Sequence, residues 1–437
     1  MYKKNKICVI GQGYVGFPLS VALSKFFKVT GYDHQSSKIN FLKNGIDKEK
    51  ILNKKFLNKN LSFSNKIIDI KNHNIYIIAV PTPISRNKMP DLKNLISATK
   101  LVSKLINPGD QIVYESTVYP GTTEEICIPI IEKNSGLKLS TNNNNNKKKV
   151  FGCSYCPERV NPGDKKRTID KVVKVISSSS KKDLNKIFKI YKKISPAGIC
   201  KAKSIKIAES AKIIENVQRD INIALINEFY LLFKKMNLNI RDILDVASSK
   251  WNFLNFKPGL VGGHCIGVDP YYLTYKAKKL KYKPKLLLAG RKINDSMSNF
   301  IFQDLLNLKN NKNNKNNKNN KNKNLKALII GYTFKSNVSD FRNSKVVEII
   351  DNFIKKKFLV NIYDPNINLD DIDNHKKNLF VKSLKDKFSK YDIILYAVNH
   401  DLFRNINFNF LKSKLKKNGF IYDLTDRFDR NLVLGSL

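Results

Sequence analysis

Gly11-Gln12-Gly13-Tyr14-Val15-Gly16 follows the short apolar run Lys6–Ile10 and opens Val15–Phe27, whose apolar residues recur at helical spacing. Strand, glycine turn and helix in that order form a dinucleotide-binding unit. The glycines permit a tight turn and a close backbone approach to a pyrophosphate, and the helix N-terminus meets the phosphate charge. A lone G-x-G-x-x-G is weak, but here Val29–Asp33 reads as the next strand and ends on an acid 17 positions past Gly16. A carboxylate there binds both ribose hydroxyls and repels a 2′-phosphate, so NAD is expected over NADP.

Outward from this unit the pattern repeats. Ile75–Val80 and Gln111–Glu115 read as buried strands, and Leu92–Ile106 and Thr123–Glu132 as helices. This punctuation argues for a parallel sheet. After the polar tract Thr141–Lys149, strands resume at Val150–Tyr155 and Val172–Ser177. Ser204–Met236 has the pattern of one long helix, suited to a spine between domains or a dimer interface. Lys309–Asn324 is an Asn/Lys repeat that cannot bury apolar area and is expected to be a disordered linker or surface loop. Leu325–Gly331 then starts a second strand-turn-helix series, with later strands at Leu359–Asp364, Ile393–Val398 and Phe420–Asp423. The expected fold class is α/β: two Rossmann-like doubly wound domains joined by a long central helix and a helical middle domain. Their expected bounds are 1–200, 201–305 for the middle, 306–324 for the linker and 325–437.

Composition narrows the function. The 437 residues carry a net charge of +44, which alone points to nucleic acid. Lysine, however, is spread along the whole chain, and the excess of Lys, Asn and Ile reads as the codon bias of an AT-rich genome. No helix-turn-helix, zinc-finger or aromatic RNA-binding signature accompanies the charge, so no nucleic-acid partner is expected. No apolar run is long enough to span a bilayer and no signal-peptide core follows the basic N-terminus, so a cytoplasmic protein without a membrane partner is expected. Six cysteines do not make a disulfide framework in a chain this long. Cys153 and Cys156 form a lone C-x-x-C without a second pair, which reads as small residues on a buried strand and not as a metal site.

The remaining motifs carry chemistry only in combination. Val80-Pro81-Thr82-Pro83 and Glu115-Ser116-Thr117-Val118 end strands at the carboxyl edge, where ligands bind, though each alone reads as an ordinary strand end. Pro157-Glu158-Arg159-Val160-Asn161-Pro162-Gly163 is a proline-bracketed polar loop, equally a ligand holder or a plain turn. Lys212, Asn216, Arg219 and Asp220 share one helical face, suited to a diphosphate or an oxyanion, or to a solvated row of salt bridges. Gly262-Gly263-His264-Cys265-Ile266-Gly267-Val268-Asp269 places a cysteine among small residues, open to close approach. A thiolate there can trap an aldehyde as a thiohemiacetal, and hydride loss then gives a thioester that water cleaves. His264, a neighbour in sequence and not necessarily of the sulfur, is assigned no catalytic role.

Together these segments, with AGRKIND and GYTFKSNVSDFRNS, resemble the UDP-glucose/GDP-mannose dehydrogenase family in order over nearly the whole chain. The resemblance implies an NAD-dependent, four-electron oxidation of a sugar C6 alcohol to the acid, and a homodimer. PERVNPGD resembles the branch acting on UDP-N-acetylhexosamines; the UDP-glucose branch usually has a second glutamate where this chain has Pro162. UDP-N-acetyl-D-glucosamine is the expected substrate, with the mannosamine and galactosamine sugars as alternatives. By the same resemblance Cys265 is the nucleophile, Lys212 and Asn216 hold oxyanions, Asp269 assists proton transfer, and Thr117 and Glu158 act on the water. Arg159, Val160, Lys212, Asn216, Arg219, Phe256, Gly259, Phe334 and Lys335 would hold the nucleotide sugar, with Arg291 reaching it from the other subunit. Gly11, Gly13, Tyr14, Val15, Gly16, Asp33, Thr82, Thr117 and Arg342 would contact NAD, and no metal is implied. Thr425 departs from the family, where a basic residue is common.

Overall fold

The computed structural model describes residues 5–48, 51–52, 55–85, 87–144, 148–160, 167–314, 325–384 and 390–437. They gather into two compact units, 1–216 with 271–283, and 217–270 with 284–437. Asn161, Pro162 and Gly163 of the expected ligand loop, and the parts of the two Asn/Lys tracts at 145–147 and 315–324, lie outside the described residues.

The first unit is built on β1 (Lys6–Ile10), α1 (Gly16–Ser24), β2 (Lys28–Tyr32), α2 (Ser36–Lys43), β3 (Leu61–Ser64), β4 (Ile75–Ile78), α3 (Lys93–Ser103), β5 (Gln111–Tyr114), α4 (Ile128–Ser135), β6 (Lys138–Leu139), β7 (Val150–Tyr155), β8 (Lys174–Ser178), α5 (Lys181–Ile194) and β9 (Ile199–Lys201). The strands form one sheet in the order β3-β2-β1-β4-β5-β7-β8-β9, with β6 beside β7. It is parallel except that β8 runs antiparallel to β7, pairing Ser154 with Ser178 and Tyr155 with Ser177. Helices cover both faces, so β1, β4 and β5 are near-continuous apolar runs buried on both sides. Strand order reverses between β1 and β4, which places the glycine turn after β1 at the crevice.

The chain leaves this unit within α6 (Ile205–Lys235), which runs unbroken for 31 residues. The second unit adds α7 (Ile240–Ala247), α8 (Asp269–Lys279, shared with the first), α9 (Lys285–Asn314), β10 (Lys326–Ile330), α10 (Lys345–Lys355), β11 (Leu359–Tyr363), β12 (Tyr391–Tyr396), β13 (Leu415–Asp423) and β14 (Gly435–Ser436). Its five strands are all parallel, in the order β11-β10-β12-β13-β14. A core of Ile301, Phe302, Leu305, Ile349, Phe353 and Ile393 fills the space between helix and sheet.

The second sheet repeats the first in detail. Gly11 and Gly331 both sit at φ +90°. Their amides donate to Tyr32 and Tyr363 at 2.8 and 3.0 Å. The next amide in each turn, of Gln12 and Tyr332, donates to the carboxylate ending the second strand, Asp33 at 2.9 Å and Asp364 at 2.7 Å.

One expectation is corrected. The Asn/Lys tract does not begin a linker at 306, because α9 continues through Asn314. Lys309 is 3% exposed, and its amine donates to Asp392 at 2.9 Å. The apolar face of Ile301, Phe302 and Leu305 carries the helix into the tract, and this buried ion pair extends it past the last apolar residue.

Gly16 is the tightest point of the first unit: a Cβ there would lie 1.8 Å from the Gly11 carbonyl oxygen. Gly16→Ala is expected to cost about 1–3 kcal/mol by forcing α1 off the turn, and to weaken NAD binding. Denaturant midpoints and a cofactor titration check this; an unchanged midpoint would show that α1 moves freely.

Candidate functional site

In the first unit the dinucleotide cradle forms from adjacent strand ends. Gly11 is pressed on Ala79, where a Cβ would meet the carbonyl oxygen at 2.7 Å, whereas a Cβ on Gly13 would meet nothing within 4 Å. The open face at Gly13 suits an anion lying over the turn, and Tyr14 and Val15 stay half-buried beside it. Asp33 accepts from Gln12 and, on its other oxygen, from the Gln35 amide at 3.0 Å, which aims the carboxylate. Thr82 donates to the Thr117 carbonyl at 2.6 Å, tying together the segments after β4 and β5. These residues fit NAD.

Glu158, Arg159 and Val160 form a second cluster after β7. One Glu158 oxygen accepts from the Arg159 and Val160 amides at 2.7 and 2.6 Å. The other lies 3.7 Å from the Lys174 amine. Arg159 is held by the Val173 carbonyl at 3.0 Å and by Glu215 at 2.8 Å. On α6, Lys212 is half-buried and Asn216, one turn on, is buried.

The expected face of four residues is corrected. Arg219 is exposed, but Asp220 is fully buried and pairs with Arg291 at 2.6 Å. Arg291 itself is 3% exposed and also pairs with Asp295, so its guanidinium is committed inside its own chain and not presented outward. Asn294 continues the network by donating to Asp220 at 2.7 Å, and Asn227 donates to Asn294 at 2.8 Å. Asn227 then clamps Gly259 from both sides, accepting its amide at 2.8 Å and donating to its carbonyl at 3.0 Å. Arg291 and Asn294 of the AGRKIND segment are thus buried supports of the Gly259 backbone.

The Cys265 loop belongs to the second unit. Gly262 and Gly263 press on the segment after β10: a Cβ on Gly262 would lie 2.7 Å from the Asn343 carbonyl, and one on Gly263, at φ +80°, 2.6 Å from the Phe334 ring. The Cys265 carbonyl accepts from the Val268 and Asp269 amides at 3.0 and 2.9 Å, turning the chain into α8. Cys265 stays half-buried, and Asp269 is buried at the start of α8. Gly259, Gly262, Phe334, Lys335 and Thr425 line a cleft of about 420 Å³ at the carboxyl edge of β10 and β12. Phe256 is half-buried against the core below.

His264, given no role from sequence, has one here. Its Nδ1 lies 3.3 Å from Asp340, and its ring packs edge-on to Phe334. Arg342 grips the same carboxylate with Nε at 2.9 Å and Nη2 at 2.5 Å, so Arg342 is also a support for this loop. Burial disfavours the imidazolium, but hydrogen bonds to Asp340 and to the Cys265 side chain outweigh it and raise the pKa to about 9. The local sequence held no such signal, because Asp340 is 76 positions away.

The NAD-binding domain of the UDP-glucose/GDP-mannose dehydrogenase family matches residues 5–195, its central domain 206–296 and its UDP-binding domain 328–430. The chain belongs to the UDP-glucose/GDP-mannose dehydrogenase family. It is therefore an NAD-dependent UDP-sugar dehydrogenase. It is 41% identical over 421 residues to a UDP-N-acetyl-D-glucosamine 6-dehydrogenase of Salmonella typhi, covering 96% of this chain and 95% of that one. A Pseudomonas aeruginosa enzyme of the same name is 39% identical over 98% of both chains. The solved structure of a Pyrococcus horikoshii UDP-D-ManNAc dehydrogenase matches with a TM-score of 0.82 at 27% identity, over 97% of this chain and 96% of that one. Among the described residues no helix is long and apolar enough to cross a membrane.

Because its folded pKa is raised, His264 contributes stability that is complete below its unfolded value of 6.5 and is lost as pH rises through about 9. His264→Gln should therefore lower Tm most at pH 6, with the difference from wild type fading by pH 9.5. A difference constant across this range would show that the imidazole is neutral in the fold.

Proposed function

We propose that the protein oxidises C6 of a UDP-N-acetylhexosamine, UDP-N-acetyl-D-glucosamine foremost, to the uronic acid for a surface polysaccharide. The observation that carries the chemistry is the Cys265 loop: a half-buried thiol among glycines, with the His264 imidazolium held against it by Asp340. A cation beside the sulfur is one of the settings that favour a nucleophilic cysteine. The choice of sugar is supported by the relatives named above, of about 40% identity over nearly the whole chain.

Gly13 and Asp33 would hold NAD, which would supply the hydride acceptor for each of the two oxidations. The chain's own residues do the rest. Cys265 adds to the C6 aldehyde, forming the carbon–sulfur bond, and Lys212 and Asn216 hold the oxygen as it gains charge. Asp269 assists proton transfer. C6 loses one hydride before this addition and a second after it, each to a separate NAD, and the second loss leaves a thioester; water gives a proton to Glu158, positioned with Thr117, as the new carbon–oxygen bond forms and the Cys265 thiolate leaves. Arg159, Val160, Arg219 and the Gly259–Phe334–Lys335 cleft hold the nucleotide sugar, with Phe256 beneath.

Self-association is supported by one exposed stripe on α6. Leu225, Phe229 and Leu232, with Met236 just past the helix end, are spaced by four, three and four and are 46%, 37%, 51% and 55% exposed. Such spacing lines one helical face, and a second copy of the chain covers it.

NADH formation should favour UDP-N-acetylglucosamine over its mannosamine and galactosamine epimers, UDP-glucose and GDP-mannose, with two NADH per sugar. Cys265→Ser should lose turnover by roughly a thousandfold or more. One NADH with free aldehyde from the wild-type enzyme would refute the thioester step, and preference for the mannosamine sugar would move the protein to that branch. In light scattering, Leu225→Glu with Leu232→Glu should convert a dimer to monomers; a wild-type monomer would refute the pairing.

A further inference from the structure

Glu115 and Lys174 attract no attention in the sequence as a pair, being 59 positions apart, yet they meet in the interior of the first unit. Glu115 follows β5 and is 1% exposed; Lys174 opens β8 and is 5% exposed. The Lys174 amine donates to one Glu115 oxygen at 2.6 Å and lies 3.7 Å from Glu158. The other Glu115 oxygen accepts from the hydroxyl of Tyr191, a fully buried residue of α5 whose ring lies 5.2 Å from the same amine. One ammonium thus serves two carboxylates, and the second is the loop glutamate fixed by the Arg159 and Val160 amides.

We infer that Glu115, Lys174 and Tyr191 are positioning residues for Glu158, and that the proton on Glu115 decides how much of the Lys174 charge Glu158 receives. The inference rests on the reading of Glu158 as the group that activates water. Two carboxylates and one cation leave an unbalanced buried charge, which a single proton relieves. Glu115 is the more deeply enclosed of the two, and burial raises its pKa to about 7 against Lys174 and Tyr191, with Glu158 adding to the rise, so it is the carboxyl that exchanges this proton near neutrality. The other groups facing it hold their charge states near neutrality. Burial lowers Lys174, but the two carboxylates outweigh that and raise it, while burial pushes Tyr191 and the adjoining Cys156 far up. When Glu115 ionises it draws the ammonium to itself, and Glu158 becomes the better proton acceptor as the water oxygen bonds to carbon and the sulfur leaves.

Single-turnover uronate formation is measured from pH 5.5 to 9 in wild type, Glu115→Gln, Tyr191→Phe and Glu158→Gln, with folding checked by circular dichroism. The wild-type rate should rise through about pH 7. Glu115→Gln should lose that rise and stay roughly tenfold slower above it, with KM little changed. Tyr191→Phe removes a hydrogen bond that favours the ionised form, so the rise should move to higher pH. A rise near pH 7 that survives in Glu115→Gln, or is unmoved in Tyr191→Phe, overturns the inference while an inactive Glu158→Gln leaves the water-activating role intact. Full uronate formation by Glu158→Gln overturns that role, and the inference with it.

Discussion

A carboxylate that closes a glycine turn is the constraint on which both units depend. After β1 and after β10 the chain must reverse within two residues, and only a glycine at φ +90° does so without strain. The next amide would be left unpaired at the sheet edge, and Asp33 and Asp364 satisfy it. The same interaction divides the two turns by purpose. Asp33 keeps 11% of its side chain exposed. Asp364 is fully enclosed and also holds His400 at 3.1 Å, so that turn offers no free carboxylate to a ribose. One architecture, used twice, yields a dinucleotide cradle in one unit and a closed anchor in the other.

The buried polar groups that support the Gly259 and Cys265 segments are linked to one another. Arg291, Asp220, Asn294 and Asn227 lie at 3% exposure or less, and each is bonded to the next until the chain ends on the Gly259 backbone. Asp340 is 7% exposed and is held by Arg342 from one side and His264 from the other. These networks give loops the rigidity that secondary structure gives to strands. The Gly259 and Cys265 segments have few backbone hydrogen bonds of their own and take their shape from such side chains.

Much of this was legible in the sequence. The two strand-turn-helix series, the long α6 and the small-residue loop around Cys265 follow from period, glycine position and apolar runs. Short strands such as β3 and β9 carry too few residues for a pattern to emerge. α5 went unread although Ser180 accepts from the Asp183 amide at 3.2 Å, a cap whose Ser-x-x-Asp spacing is visible in the chain. The antiparallel turn of β8 left no trace in composition. The pairs that shape the site, His264 with Asp340, Glu115 with Lys174 and Arg291 with Asp220, join residues 59 or more positions apart, and no local pattern announces such a meeting. The face on α6 failed for a related reason: spacing places Arg219 and Asp220 on one side, but the neighbour that buries Asp220 belongs to another helix.

The buried amine of Lys309 has a genetic consequence. A run of repeated Asn and Lys codons gains and loses units by replication slippage, and length changes encoded beyond Asn314 leave the Lys309–Asp392 pair in register. One residue lost from α9 ahead of Lys309 turns that amine by about 100° around the helix axis, away from its carboxylate. A boundary therefore runs inside a segment of uniform composition, because the register of α9 ahead of Lys309 is fixed by its pairing with Asp392.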